Sequence, residues 1–387
     1  MLKYLFYAVV FALSLGQFSV IYQSGGLKIY LFDVLICGFV SYGILICLLK
    51  KHFKFLVYHL LFLAFCVVAA LSLLRVSSAL QFSDLVSASF YQFRLVFYFF
   101  SGVIVFNATR MGLISFPQVY KSFILSGVFV SLTGFIQLLV LPDLEVLDPL
   151  LGWDPHKNRL VSTFLDPNFV GGYLVLCMTV FLYMPKRTLA SKVAFLFMLL
   201  ALFFTYSRSS WAMFAVVMLI YGIFKSRIAL IVAVLLMLSA YFAVPRIQTR
   251  IAGITDPADS AHFRLISWRN TWEIAKDNLY MGVGFNNFRN AQLAYGFVDP
   301  GDSEAHGVSG SDSSILLVLA TTGVFGLSLF LIAYIYPMLS FDLFKLSVGA
   351  SLLLHSQFVN SFFYPQILFF FFVMVISSPN LQQPAKI

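Results

Sequence analysis

Charge is scarce in this chain: of 387 residues only 11% are Asp, Glu, Lys or Arg. Soluble domains carry about 25%, so there is too little polar surface here to cover a fold in water. Cysteine is scarce as well. Cys37, Cys47, Cys66 and Cys177 all lie in apolar stretches, with no CxxC pair and no histidine at metal-ligand spacing. That pattern supports neither a disulfide framework nor a thiol nucleophile, only buried packing. No outer cluster of three carboxylates or histidines stands at ligand spacing either, so the expected chemistry uses no metal and no cofactor. The formal charge of +9 invites a nucleic-acid reading, but no basic run interleaved with polar residues supports one. Internal repeats, and the half-to-half symmetry of many transporters, are also missing.

What is abundant is apolar surface, with 60% hydrophobic and 18% aromatic residues. Lipid must be the solvent for most of the chain. The apolar runs are Tyr4–Tyr22, Tyr30–Leu49, Phe53–Leu74, Ser87–Phe106, Val119–Leu141, Phe169–Met184, Ala194–Thr205, Ser210–Phe224, Ile228–Val244, Ser313–Tyr336, Leu343–Val359 and Phe363–Ile376. The alternation of barrel strands is absent, and backbone groups in lipid must be satisfied internally, so each run is expected to be a helix. The expectation is an all-α, polytopic protein, one integral membrane domain over residues 1–387 with about twelve transmembrane helices. The first run lacks a small-residue cleavage site and reads as a retained helix rather than a signal peptide.

Sidedness follows from basic residues in the short loops. Lys50, Lys51 and Lys54, then Arg110 and Lys121, then Lys186, Arg187 and Lys192, then Lys225 and Arg227 all fall on one side. Alternate short loops hold little more than Lys28, Arg75 and Arg208. The positive side is cytoplasmic, which puts both termini inside. Two polar regions then lie outside: Pro142–Asn168, and a long loop over residues 245–312 between helices nine and ten. The second is basic (Arg246, Arg250, Arg264, Arg269, Lys276, Arg289). Long loops escape the positive-inside rule, yet an ordered basic loop at the outer surface would attract a diphosphate.

Four places break the apolar pattern. Arg94, inside SFYQFRLVFYFF, either faces a cavity or partner or snorkels to the outer interface. The stretch RLVSTFLDPNFVGGY has a helix-start signal at Asp166-Pro167-Asn168, with Asn168 able to cap, and two glycines that permit close approach of another helix or ligand. Its Arg159 is not explained by capping. TYSRSSW sets Arg208 among hydroxyls at a tight turn, where a guanidinium can grip phosphate with two hydrogen bonds. Last, FRLISW, GVGFNNF and SDSSILLVLATTGVFGL contain Asp312 just before a membrane helix, as an N-cap or as a general base for a sugar hydroxyl. His306, six residues earlier, is the other base candidate.

Taken together these pieces resemble the O-antigen ligase and polymerase superfamily of bacterial envelope glycosyltransferases. STFLDPNFVGGYL is similar to its "xPNxxgxyl" element and TYSRSSW to its "TxSRgaxl" turn. FRLISWRNTWEIAKDNLYMGVGFNNF resembles "RxxxWxxaxxxixxxPxxGvGxgnf", and DSSILLVLATTGVFGL resembles "HNxxLxxlxxxGxxGl". The late segment LLLHSQFVNSFFYPQ also fits the family's penultimate span. Two departures stand out: Asp312-Ser313 where the family often has His-Asn, and Tyr280-Met281 where it has Pro before the GxG.

The resemblance implies a GT-C-like membrane glycosyltransferase with an undecaprenyl-diphosphate-linked oligosaccharide as donor, membrane lipid around it and a chain-length regulator beside it. It assigns the diphosphate to Arg208 and Arg264, supported by Arg159 and Arg94, and the acceptor proton to Asp312 or His306. The departure at Asp312 favours a polymerase of surface-polysaccharide repeats, such as lipopolysaccharide O-antigen, in the inner membrane. Within the class the rival is a ligase moving glycan to lipid A-core or protein. Outside it stand a polysaccharide-lipid flippase and a non-enzymatic envelope scaffold.

Overall fold

The computed structural model describes residues 1–24, 27–147, 156–253, 260–299, 301 and 310–377. The chain is nearly all-α. Helix α1 (Leu2–Ser14) breaks off before Gly16, whose φ of +51° brings it against the Thr163 carbonyl, where a Cβ would collide. An antiparallel hairpin of β1 (Val20–Ser24) and β2 (Leu27–Tyr30) follows. The first apolar run is therefore helical only in its first part. Then come α2 (Leu31–Leu49), α3 (Val57–Val76), α4 (Phe82–Arg110) and α5 (Phe116–Val140).

After the first outer segment the chain forms α6 (Pro167–Tyr183), α7 (Leu189–Phe204), α8 (Arg208–Phe224) and α9 (Arg227–Ala243). The basic stretch beyond is itself largely helical, with α10 (Pro245–Ala252), α11 (Ser260–Asp277) and α12 (Phe288–Ala294). Helices α13 (Ser314–Ile335), α14 (Leu343–His355) and α15 (Pro365–Phe371) complete the bundle, α15 running on as a π-helix over Phe372–Ile376.

A helix lies in each of the twelve apolar runs. Length and composition qualify five as membrane spans, or six if α9 and α10, bent by 95° at Pro245, count as one. The others are shorter than the roughly 20 residues that a hydrocarbon core of about 30 Å needs at 1.5 Å per residue.

Short polar side chains start these helices. Asp166 accepts the amides of Asn168 (2.6 Å) and Phe169 (3.2 Å), so Asp166 rather than Asn168 caps α6. Ser207 caps α8 and Ser313 caps α13. A side-chain oxygen at that position satisfies an amide that lipid could not. Helix α6 is buried along nearly its whole length and packs on α5, α7, α8 and α14, which makes it the central post of the bundle.

The GVG stretch ties the outer region to the membrane helices. Gly282 and Gly284 take φ of +67° and +98°, and Gly323 breaks α13 with φ +67°. Across this break Val283 N–H bonds Ala320 O (2.8 Å), Gly284 N–H bonds Thr321 O (3.0 Å) and Val324 N–H bonds Leu279 O (2.8 Å). Side chains at Gly282 or Gly323 would collide with the opposing backbone, so only glycine allows the approach. The end of α11 is thereby held against the first half of α13.

Candidate active site

Arginines from four separate stretches meet at one end of the bundle. Arg159, 9% exposed, donates from Nε to Thr205 O (2.9 Å) and from Nη2 to Tyr206 O (3.4 Å), closing over the turn between α7 and α8. Because Ser207 caps α8, Arg208 is that helix's first residue, and its Nη1 donates to Arg250 O on α10 (2.8 Å). Arg246, one turn before Arg250, donates to Asn158 O (2.7 Å) and Lys157 O (2.5 Å) and lies 4.4 Å from the centre of the Tyr206 ring. Arg264 on α11 acts electrostatically on both Arg159 and the buried His355 of α14.

The field there is strongly positive. Burial first, then Arg250, Arg246 and Arg264, push the Arg159 guanidinium below its ordinary range, and Asp166 opposes them. A guanidinium does not surrender its proton inside a protein, so the cost persists as mutual repulsion that an anion would relieve. His156 feels the same surroundings: burial lowers it to about 4, Asp166 works against that, and Arg159 and Arg250 add to it. The N-termini of α6 and α8 open at the same place, and their amide dipoles favour negative charge.

Behind the arginines runs a chain of hydroxyls. Ser207 donates to Asn168 Oδ1 (2.8 Å) and Ser210 to Asn168 O (3.1 Å). Ser210 Oγ also meets His355 Nε2 (3.2 Å), whose Nδ1 meets Ser361 Oγ (2.6 Å). The Gly171-Gly172 pair makes room for this. A Cβ at Gly171 would collide with Ser210 Oγ, and one at Gly172 would lie 2.9 Å from His355 Cε1. The glycines thus let α8 and α14 approach α6 and fix the turn that carries Arg208.

Asp312 stands at the junction of α11 and α13. Its N–H donates to Ser267 Oγ (3.1 Å), one helical turn beyond Arg264. Ser313, not Asp312, caps α13, accepting the Leu316 amide at 3.3 Å, so capping does not account for the Asp312 carboxylate. His306 lies outside the described residues.

Arg94 belongs to different surroundings. Its Nη2 pairs with Asp33 Oδ2 (2.6 Å) and donates to Lys28 O (2.6 Å), while Tyr98 Oη donates to Asp33 Oδ1 (3.0 Å). The rings of Tyr91 and Phe90 lie 4.7 and 5.0 Å away. The structure thus brings Arg159 to the turn that carries Arg208, with Arg264 within electrostatic reach of Arg159 and Asp312 tied to α11 one turn from Arg264, and sets Arg94 on a carboxylate of its own. Arg250, His355 and Asp33 were not singled out from sequence. For Asp33 a signal existed, since a carboxylate inside an apolar run needs a cation. For Arg250 the signal was its spacing of four from Arg246 on a helix. Among the described residues no group of three His, Cys, Asp or Glu side chains could hold a metal ion.

Residues 193–331 match the family model described as O-antigen ligase. The match supports the O-antigen ligase/polymerase superfamily for this chain. The stretch matched contains Arg208, Arg246, Arg250, Arg264 and Asp312, whereas Arg94, Arg159 and His355 lie outside it. The superfamily implies a membrane glycosyltransferase-like enzyme and a lipid-linked glycan substrate. No curated protein matches the chain.

Proposed function

We propose that the protein is a metal-independent glycosyltransferase that polymerises surface-polysaccharide repeats on the outer face of a bacterial inner membrane. This reading counts each of the twelve apolar helices as a crossing, the short ones in a locally thinned bilayer. Both termini are then cytoplasmic and residues 245–312 lie outside. The observation that carries it is the meeting of Arg159, Arg208 and Arg250 at the turn that starts α8, with Arg264 within electrostatic reach of Arg159.

The donor's diphosphate sits on Arg208 and Arg264, with Arg159 and Arg250 beside them. Asp312 takes the proton of the acceptor hydroxyl, with His306 as the other base. The freed oxygen bonds to the anomeric carbon as the bond from that carbon to the diphosphate oxygen breaks. The electron pair leaves on undecaprenyl diphosphate, where charge-assisted hydrogen bonds meet it. Arg94, already matched by Asp33, is assigned to shaping the neighbouring cavity.

Ligation is the second reading, because the matched family model is described as O-antigen ligase. Cells lacking the gene separate the two: a lost polymerase leaves single repeats on the surface, and a lost ligase leaves none. The transferase reading itself is tested with purified protein and lipid-linked repeats. Undecaprenyl diphosphate is released, and Asp312→Asn lowers the rate about 10²–10⁴-fold. Transport of repeats without that release means a flippase. Glycan assembly that survives Arg264→Ala unchanged means a scaffold.

A further inference from the structure

A cavity of about 360 Å³ lies between the β1–β2 hairpin, the start of α4, residues 285–290, the first half of α13 and residues 360–368. Its volume falls in the range of small-molecule sites, roughly 300–1,000 Å³. Six carboxamide side chains line it: Gln17, Gln23, Asn286, Asn290, Asn360 and Gln366. Aromatic rings, among them Tyr30, Tyr91, Phe288 and Tyr364, make up much of the rest. We infer that this cavity binds the acceptor end of the growing glycan, a short neutral saccharide, and presents its hydroxyl to Asp312.

An amide both donates and accepts hydrogen bonds, as each sugar hydroxyl does. Flat rings suit the apolar faces of sugar rings. The lining also carries Lys28, Asp84, Arg94 and Arg289; Asp33 holds Arg94, and Asp84 offsets one of the other two cations, so little charge is left for a diphosphate beside six amides, for which an isoprenoid tail has no use. Two buried polar atoms on the lining point the same way. Gln366 donates to Leu13 O (3.1 Å), which leaves its Oε1 with no hydrogen-bond partner among the described residues. Arg94 Nε is likewise unmatched while its Nη2 is engaged. Buried groups left so are costly, and ligand hydroxyls would complete them.

The cavity also has the right neighbour. Gly310 lines it next to Asn360 (3.1 Å from a Cβ placed there to the Asn360 amide nitrogen), and Asn360 Oδ1 accepts from Ser314 (3.0 Å). Asp312, between those two residues, is bonded to α11 one turn from Arg264. Residues 310–314 therefore run between the carboxamide chamber and α11, the helix that carries Arg264, with Asp312 in that segment. An acceptor on one side and a donor diphosphate on the other is the arrangement a transfer requires. This assignment rests on the transferase reading above.

The test uses full-length protein in detergent and two probes: undecaprenyl diphosphate, and the free oligosaccharide repeat released by mild acid from lipid-linked units of cells lacking the gene. Wild type binds both. Asn286→Gly keeps a backbone of φ +58° while deleting an amide. Combined with Gln366→Leu it weakens saccharide binding by about ten-fold or more and leaves undecaprenyl diphosphate binding intact, which also reports correct folding. Arg208→Ala gives the reverse pattern. Saccharide affinity unchanged in the double variant, or saccharide binding undetectable in wild type that binds undecaprenyl diphosphate, overturns the cavity's assignment alone. Wild type that binds the saccharide but never releases undecaprenyl diphosphate from lipid-linked repeats overturns the transferase reading and leaves the cavity as a saccharide site without an acceptor role.

Discussion

Arg94 and Arg159 are equally hidden, each 9% exposed, and their surroundings are opposite. Arg94 has a carboxylate at 2.6 Å that is itself held by Tyr98 and by the Tyr30 amide. Arg159 has two carbonyls, the like charges of Arg250, Arg246 and Arg264, and one opposing carboxylate, Asp166. A matched buried ion pair has little charge left over for an anion. Crowded like charges attract one. The depth of an arginine in a membrane protein therefore says less about function than whether its counter-charge is already present.

Breaking the matched pair should give the largest effect. Asp33→Ala strands the Arg94 charge and is expected to cost about 3–5 kcal/mol, whereas Asp33→Leu with Arg94→Met recovers most of it. Melting in detergent checks this, and a double variant as unstable as the single one breaks the contrast. At the arginine cluster the effect should fall on rate instead. Arg208→Ala is expected to lower turnover about 10²–10³-fold with a melting temperature that holds or rises. A large loss of stability there would make the cluster structural. The smallest effect concerns His156, lowered to about 4 chiefly by burial. The unfolded chain takes up this proton more readily than the folded one, so stability is full above about pH 6.5 and declines as pH falls toward 4. A melting temperature falling by a few degrees over that window, and flattened by His156→Gln, sharpens the picture of a cation-rich end.

Much of the frame could be read from residues alone, because apolar runs and starting polar residues act locally. Each of the twelve runs holds a helix, but the caps differ from the sequence reading: Asp166 rather than Asn168 and Ser313 rather than Asp312, with Ser207 not foreseen. The hairpin after α1 was hidden because Val20–Tyr22 ends an apolar run that begins at Tyr4, although Gly16 and the Gly25-Gly26 pair stand beside it in the sequence. Partners distant in sequence were hidden for a different reason. Asp33 and Arg94 are 61 residues apart, and Ser210 and His355 are 145 apart, so no periodicity links them. Arg208 stood out because it interrupts an apolar pattern, and Arg264 because FRLISW resembles a family element. Arg250, in a stretch already basic, did not.

The joint between the GVG stretch and the break at Gly323 is tied by three hydrogen bonds between main-chain amides and carbonyls. Main-chain bonds are indifferent to which side chains surround them. Substitutions around the outer chamber can therefore accumulate, and with them a taste for other sugars, while the spacing of carboxylate and guanidinium is preserved. Diversification of the polymer would then be cheap at every lining position and forbidden at three glycines.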